Sequence, residues 1–184
     1  KRVRKQVKTI VDQLTPLSLK FEKNISESKD TLFLKEHHMA GLPEDYCEDR
    51  KDENGIYTID LSYPSYSPFM KYAESDSARK ALRFMYWNRA SDKNLSILDS
   101  LILIRNQLAE ILDYPSYADY TTEILMTENA NRVWEFEKSL RELIMPKALD
   151  DYNKMLEIKS HETGKYESVI ESWEYDRYEH LLKL

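Results

Sequence analysis

The sequence predicts a mainly α-helical chain: a multi-helix array with long kinked helices and one small antiparallel β-hairpin. Three observations carry that expectation. Apolar residues recur at alternating steps of four and three along most of the chain, the period of one helix face. Only three glycines and six prolines occur, too few for a turn-rich sandwich or barrel. Two short runs alone, Thr31–Leu34 and Ile56–Leu61, have the apolar, β-branched and aromatic character of strands. At 184 residues, with no internal repeat, low-complexity tract or clear linker, residues 1–184 read as a single helical domain or a contiguous fragment of a larger protein.

Val3, Val7, Ile10, Leu14, Leu17, Phe21 and Ile25 define a first long helix. Pro16 removes one hydrogen bond from it and predicts a kink, while the register continues across. Pro43 is placed to open a short helix over Glu44–Glu48. Asp52-Glu53-Asn54-Gly55 signals the turn before the second strand, and Pro64 and Pro68 punctuate its exit. Four further helical stretches are expected. Ser77–Arg89 turns Ala78, Ala81, Leu82, Met85 and Tyr86 inward, and Leu95–Leu112 does so with Ile97, Leu98, Leu101, Ile104, Leu108, Ile111 and Leu112. Pro115 begins a helix reaching Met126. A long helix over about 129–162, bent at Pro146 and ended by Gly164, turns Val133, Phe136, Leu140, Leu143, Ile144, Leu149, Tyr152 and Leu156 inward. Ser172 then caps a last helix beginning at Trp173. Both termini fall inside helical patterns, so the chain reads as cut from something longer, and an uncovered apolar patch is expected if a partner half is missing.

Charge and composition narrow the function classes. A net charge of −6 argues against a nucleic-acid partner, which needs a dominant basic surface. Lys1, Arg2, Arg4, Lys5 and Lys8 fit the wet side of an amphipathic helix. The longest apolar run, Leu101–Ile104, is far short of the roughly 20 residues that cross a bilayer, so no membrane partner is expected. The single cysteine, Cys47, forms no intrachain disulfide and suits a reducing, cytoplasmic setting. Asn24-Ile25-Ser26 and Asn94-Leu95-Ser96 match the glycosylation pattern, and without a secretory signal they read as chance. Thirteen tyrosines suit helix interfaces, with the walls of a wet cleft as the other setting.

Motifs for direct chemistry are sparse. His161-Glu162-Thr163-Gly164-Lys165 approaches the zinc-protease pattern H-E-x-x-H, in which histidines four apart share a metal from one helix face. Lys165 stands in place of the second histidine and Gly164 ends the helix, so a solvated helix end is expected instead. His37 and His38 are adjacent, so regular structure sends their side chains apart, and with Cys47 they form a site only through an unusual loop. His180 is read as a surface residue. The acids Glu44, Asp45, Asp49, Asp52 and Glu53 lack calcium-loop spacing and read as solvated surface. No glycine-rich phosphate loop or nucleophile elbow is present.

An ordered succession of segments is more specific. Leu17-Ser18-Leu19-Lys20-Phe21-Glu22-Lys23-Asn24 is followed by Ala40-Gly41-Leu42-Pro43-Glu44-Asp45 and by Leu61-Ser62-Tyr63-Pro64-Ser65-Tyr66-Ser67-Pro68. Arg89-Ala90-Ser91, the stretch from Leu103 to Tyr120 and Trp173-Glu174-Tyr175-Asp176-Arg177-Tyr178 complete it. In order and spacing, over most of residues 14–184, this resembles the thimet oligopeptidase and neurolysin family of zinc metallopeptidases. The resemblance implies a largely helical protein whose two halves enclose a deep channel admitting short peptides. It also implies zinc on the channel floor, held by H-E-x-x-H and a downstream glutamate, with the motif's glutamate activating the bound water. Those residues lie C-terminal to the segment in the family, so no catalytic or metal-binding residue is carried onto this chain. The segment is expected to bind no zinc itself, to be inactive alone, and to meet the remainder of the catalytic half. Trp173, Tyr175, Arg177 and Tyr178 are candidate channel-facing residues, with a buried aromatic helix contact as the other reading. Asp113 stands where the family usually has glycine, Glu174 where it has aspartate and Arg177 where it has tyrosine. A stand-alone helical module binding a protein or peptide, and a catalytically dead relative, are the alternative functions.

Overall fold

A computed structural model describes residues 1–184. In chain order its elements are α1 (Arg2–Ser26), β1 (Thr31–Leu34), α2 (Glu44–Glu48), β2 (Tyr57–Asp60), α3 (Tyr63–Tyr72) and α4 (Asp76–Trp87). They continue with α5 (Ser91–Ile111), α6 (Tyr117–Thr122), α7 (Ala130–Thr163) and α8 (Tyr175–Leu182). The class is the expected one, helices with one two-stranded antiparallel sheet. Contacts divide the chain into two compact units, Lys1–Glu27 with Ala90–Pro146 and Ser28–Arg89 with Lys147–Leu184.

The first unit is built on α1 and α5. The predicted face of α1 is the covered one: Ile10 is buried, and Val7, Leu14, Leu17, Phe21 and Ile25 are partly covered, whereas Val3 is exposed. The helix runs through Pro16, which forfeits one backbone bond while packing holds the rest. On α5 the inner face is Ile97, Leu101, Leu108 and Ala109, with Leu98 turned outward against expectation. A buried Asn94 locks the pair, donating to the Phe21 carbonyl at 3.0 Å and accepting from Asn24 at 2.8 Å. That side chain is spent inside the fold, so the Asn94 sequon is no glycan acceptor in the folded state. At the end of α5, Asp113 takes a left-handed backbone, φ +63°. The Tyr114 and Asp113 N–H groups close back onto the Ala109 and Glu110 carbonyls at 3.0 and 3.2 Å. This is the glycine-favouring helix stop, and aspartate is among the few other residues that tolerate it.

The second unit holds the larger core, where Ile59, Phe69, Met70 and Leu82 are fully enclosed. Each such side chain contributes about 1.5–3 kcal/mol of burial. The strands pair Thr31 with Asp60 and Leu34 with Tyr57, so Leu34, Tyr57 and Ile59 point inward while Phe33 faces out. Their connection is long and includes α2, which the Tyr46 hydroxyl pins to the Ser65 carbonyl at 2.7 Å. Burial pushes the Tyr46 phenol up to about 12, against the pull of Arg50. Arg89 stacks 3.7 Å from the Tyr86 ring centroid and donates to the Leu61 carbonyl at 3.0 Å.

Four expectations are corrected. Residues 63–72 form α3, because Pro64 lies in the first turn, where its missing N–H is harmless, and Pro68 removes only one bond further on. The helix after Pro115 is short, Tyr117–Thr122: Ser116 sets its start by accepting the Asp119 N–H at 3.1 Å, and it ends at Thr122 rather than reaching Met126. α8 begins at Tyr175 behind Glu174; Ser172 makes no cap, and Trp173 lies in the turn before the helix. On α7 the extent is as expected, and Gly164 ends it at φ +70°. Its apolar face is not covered, however: Phe136, Leu140, Leu143, Ile144 and Leu149 are all exposed.

Gly41 shows why its segment has that composition. Its φ is +84°, and a Cβ there would lie 2.4 Å from the Tyr72 carbonyl oxygen. The neighbouring Ala40 carbonyl accepts the Glu74 N–H at 2.9 Å, which holds the two backbones together. Gly41→Ala should therefore lower unfolding stability by roughly 2–3 kcal/mol, from left-handed strain plus the clash. A urea midpoint equal to that of the parent chain would contradict the close approach.

Candidate functional site

The last turns of α7, the turn carrying Trp173, and α8 form a dense charged cluster in the second unit. Lys159 lies on the inner face of α7, one turn after Met155, with a side chain only 8% exposed. Its ammonium donates to Glu174 Oε2 at 2.8 Å and to the Val169 carbonyl at 2.8 Å, with Glu167 at 3.3 Å. Burial alone would depress the Lys159 pKa, but the bonds to Glu174 and Glu167 hold it above the ordinary value. Glu174 Oε2 also accepts the Glu171 N–H at 2.8 Å, so one buried carboxylate closes the turn before α8.

A second clamp follows on α8. Arg177 and Tyr178 are both buried and both donate to Glu162 on α7, the tyrosine to Oε2 at 2.8 Å. Arg177 also reaches the Tyr72 carbonyl at 3.3 Å. Burial would raise the Glu162 pKa, yet the bonds from Arg177 and Tyr178 outweigh it and hold the carboxyl below its usual value. Burial and the same carboxylate push the Tyr178 phenol upward. At neutral pH the pair is thus a fixed phenol and a fixed carboxylate, suited to holding position. The helix end is solvated as expected, residues His161 to Lys165 all being exposed, and the structure adds that Glu162 is also engaged by Arg177 and Tyr178.

Trp173 is partly buried against the core, and its indole Nε1 donates to Asp76 Oδ1 at 2.9 Å. The same oxygen accepts from Arg79 at 3.0 Å, and Arg79, 2% exposed, also donates to the Ala73 carbonyl at 2.6 Å. Two clefts flank this assembly. A polar one of about 450 Å³ is lined by Glu74, Arg79, Lys159, Glu162 and Glu174 among others. A largely apolar one of about 480 Å³ lies between Trp173 and the α4 residues Lys80, Ala81 and Phe84. Of the four sequence-selected residues, Tyr175 is 47% exposed, Trp173 borders the apolar cleft, and Arg177 and Tyr178 belong to the buried clamp.

The histidines behave differently from expectation. His37 and His38 lie in a short 3₁₀ turn that brings their rings within 3.9 Å, and His38 Nδ1 pairs with Ser75 Oγ at 2.9 Å. His180 is half-covered and meets the Tyr72 ring edge-on at 4.8 Å. Zinc needs about four converging nitrogen, sulfur or oxygen donors. No three His, Cys, Asp or Glu side chains converge in this chain, and Glu162 is already held by Arg177 and Tyr178. The side chains present therefore do not fit a zinc site.

The charged cluster escaped the sequence reading, although a signal existed. Arg79 sits beside Ala78 on the inner face of α4, and Lys159 falls on the covered face of α7; a charge at an inward position marks a buried ion pair. The clamp also predicts an acid dependence. Because the folded Glu162 has the lower pKa, its stabilisation is complete above the unfolded carboxylate range of about 4.3 and is lost as pH falls through the folded value. Glu162→Gln should destabilise the chain at pH 7 by about 1–2 kcal/mol, the low side for a buried pair since the carboxylate is 39% exposed. Thermal melts of both proteins should draw together over the acid range below about pH 4.3. A gap that stays constant across that range would rule out the clamp.

Comparison with known proteins fits these observations. The pattern of Peptidase family M3 matches residues 69–183, from α3 to α8. The thimet-like oligopeptidase of Dictyostelium discoideum is 31% identical over 86% of this chain and 24% of its own length. Saccharolysin of Saccharomyces cerevisiae is 25% identical over 88% of this chain and 24% of its own. Oligopeptidase A of Escherichia coli is 24% identical over 92% and 27%. The chain thus spans about a quarter of the length of these curated relatives. With more than half of its residues inside the matched pattern, and with the elements that carry the charged cluster among them, the chain belongs to Peptidase family M3.

Proposed function

We propose that this chain is a non-catalytic helical portion of a zinc-dependent oligopeptidase acting on short peptides, and that it contributes wall rather than chemistry. The observation that carries this is the match to a peptidase family over residues 69–183 in a chain whose own side chains form no zinc site. Zinc, when held by the parent enzyme elsewhere in its sequence, would supply the activated water. The part played by these residues is mechanical. Lys159 with Glu174, and Glu162 with Arg177 and Tyr178, fix the turn before α8, so that a wall built on it keeps its shape and restricts what enters. Trp173 and Tyr175 are the side chains of that segment we assign to the channel surface; Arg177 and Tyr178 act behind them as supports.

The exposed apolar side chains of α7, including Trp134, Phe136, Leu143 and Leu149, support a further part of the proposal. They form the face that the remainder of the catalytic half would cover. No helix is long and apolar enough to cross a membrane. The free thiol of Cys47 accords with the proposed cytoplasmic location.

The test is catalytic. The purified 184-residue chain should leave a fluorogenic peptide uncut and retain no stoichiometric zinc. A protein of full family length containing both this segment and a downstream H-E-x-x-H should cut the peptide in a chelator-sensitive manner. Chelator-sensitive hydrolysis by the 184-residue chain would overturn the reading.

A further inference from the structure

The apolar cleft beside Trp173 combines features that the wall role does not require. Its sides are Phe84 and Ala81 of α4 and the indole of Trp173, enclosing about 480 Å³. The Trp173 ring is held by its bond to Asp76, so this side of the groove is set before anything binds. Phe84 is 70% exposed and Trp87, one turn further along the helix, is 66% exposed. Two large aromatic rings thus lie in water on one face of α4, and unlike the exposed apolar side chains of α7 they have cations seated beside them.

Two cations accompany the rings. The Lys80 ammonium lies 4.5 Å from the Trp173 ring centroid, and the Arg83 guanidinium lies 4.8 Å from that of Trp87. Neither forms an ion pair within the fold. Arg83 donates to the Tyr66 hydroxyl at 2.9 Å and feels the half-buried Asp176, which tempers its charge. Asp76 is already committed to Arg79 and Trp173. Lys80 is therefore the freest charge at the groove, a local positive site on a chain of net charge −6. From residue 80 to residue 87 the α4 axis rises about 10 Å, the span of about three residues of extended peptide.

We propose that this groove docks an acidic peptide segment, seating one aromatic or large aliphatic side chain between Trp173 and Phe84. A flanking carboxylate of the peptide meets Lys80, and the positive groove steers acidic sequences toward it. The indole and phenyl faces supply most of the binding, and the charges select which apolar peptide is accepted.

A labelled pentapeptide with phenylalanine flanked by aspartates tests this by fluorescence anisotropy on the 184-residue chain. It should bind at least tenfold more tightly than the same peptide with lysines in place of the aspartates, and added salt should narrow the difference. Lys80→Glu and Phe84→Ser each should weaken binding about tenfold with an unchanged circular dichroism spectrum, since both side chains are exposed. Equal affinity for the two peptides, wild-type binding by both variants, or no binding at millimolar peptide would each overturn the proposal. Binding by this chain but not by a protein of full family length would overturn it too, giving the groove to an internal contact. Neither zinc nor hydrolysis enters the readout, so failure here leaves the peptidase reading intact.

Discussion

Lys159 carries a full positive charge into the interior of the second unit, and the local architecture follows from how that charge is satisfied. Removing an ammonium and a carboxylate from water costs several kcal/mol per ion, and only close, multiply bonded geometry offsets it. The ammonium meets Glu174, Glu167 and the Val169 carbonyl, while Glu174 also accepts a backbone N–H of its own turn. Satisfying one lysine therefore draws the chain after Gly164 back along α7. The start of α8 is fixed in the same step.

From that anchor the rest of the cluster is built outward. With the turn in place, Arg177 and Tyr178 face Glu162, one helical turn after Lys159, and the Trp173 indole reaches Asp76 on α4. Each bond uses a group whose charge or polarity would be a liability if left alone, so loss of a member destabilises the set, in which only the Nε groups of Arg79 and Arg177 lack a partner. Such rigidity suits a surface that presents fixed shapes to a peptide. It suits proton transfer at neutral pH poorly, because the Tyr178 phenol is pushed up and the Glu162 carboxyl held down.

The exposed face of α7 and the covered cluster at its end illustrate two uses of one helix. Near the C-terminal end, Met155 and Lys159 are enclosed; from Trp134 to Leu149 large apolar side chains lie in water. A pattern of that kind has a stabilising role only when something apolar covers it. The chain spans about a quarter of the length of its curated relatives, and under the proposed function that face is assigned to contact with the remainder of the catalytic half.

Periodicity in the sequence determined the helices whose packing is local and repetitive. The face of α1, the inner stripe of α5, the two strands and the glycine stop of α7 were legible because each rests on a spacing or a single residue's backbone preference. The ordered segments ending at Trp173–Tyr178 carried the family resemblance, now matched over residues 69–183. Tertiary structure decided the rest. α3 survives two prolines because Phe69 and Met70 are fully enclosed, a gain that no local preference records. The His37 and His38 rings meet because a 3₁₀ turn replaces the regular geometry that would part them. The candidate site itself depends on partners as far as 105 residues apart, such as Trp173 with Asp76 and Arg177 with Tyr72. Charges that far apart along a chain find each other only after the core has brought their elements together, which is why spacing alone could not reveal them.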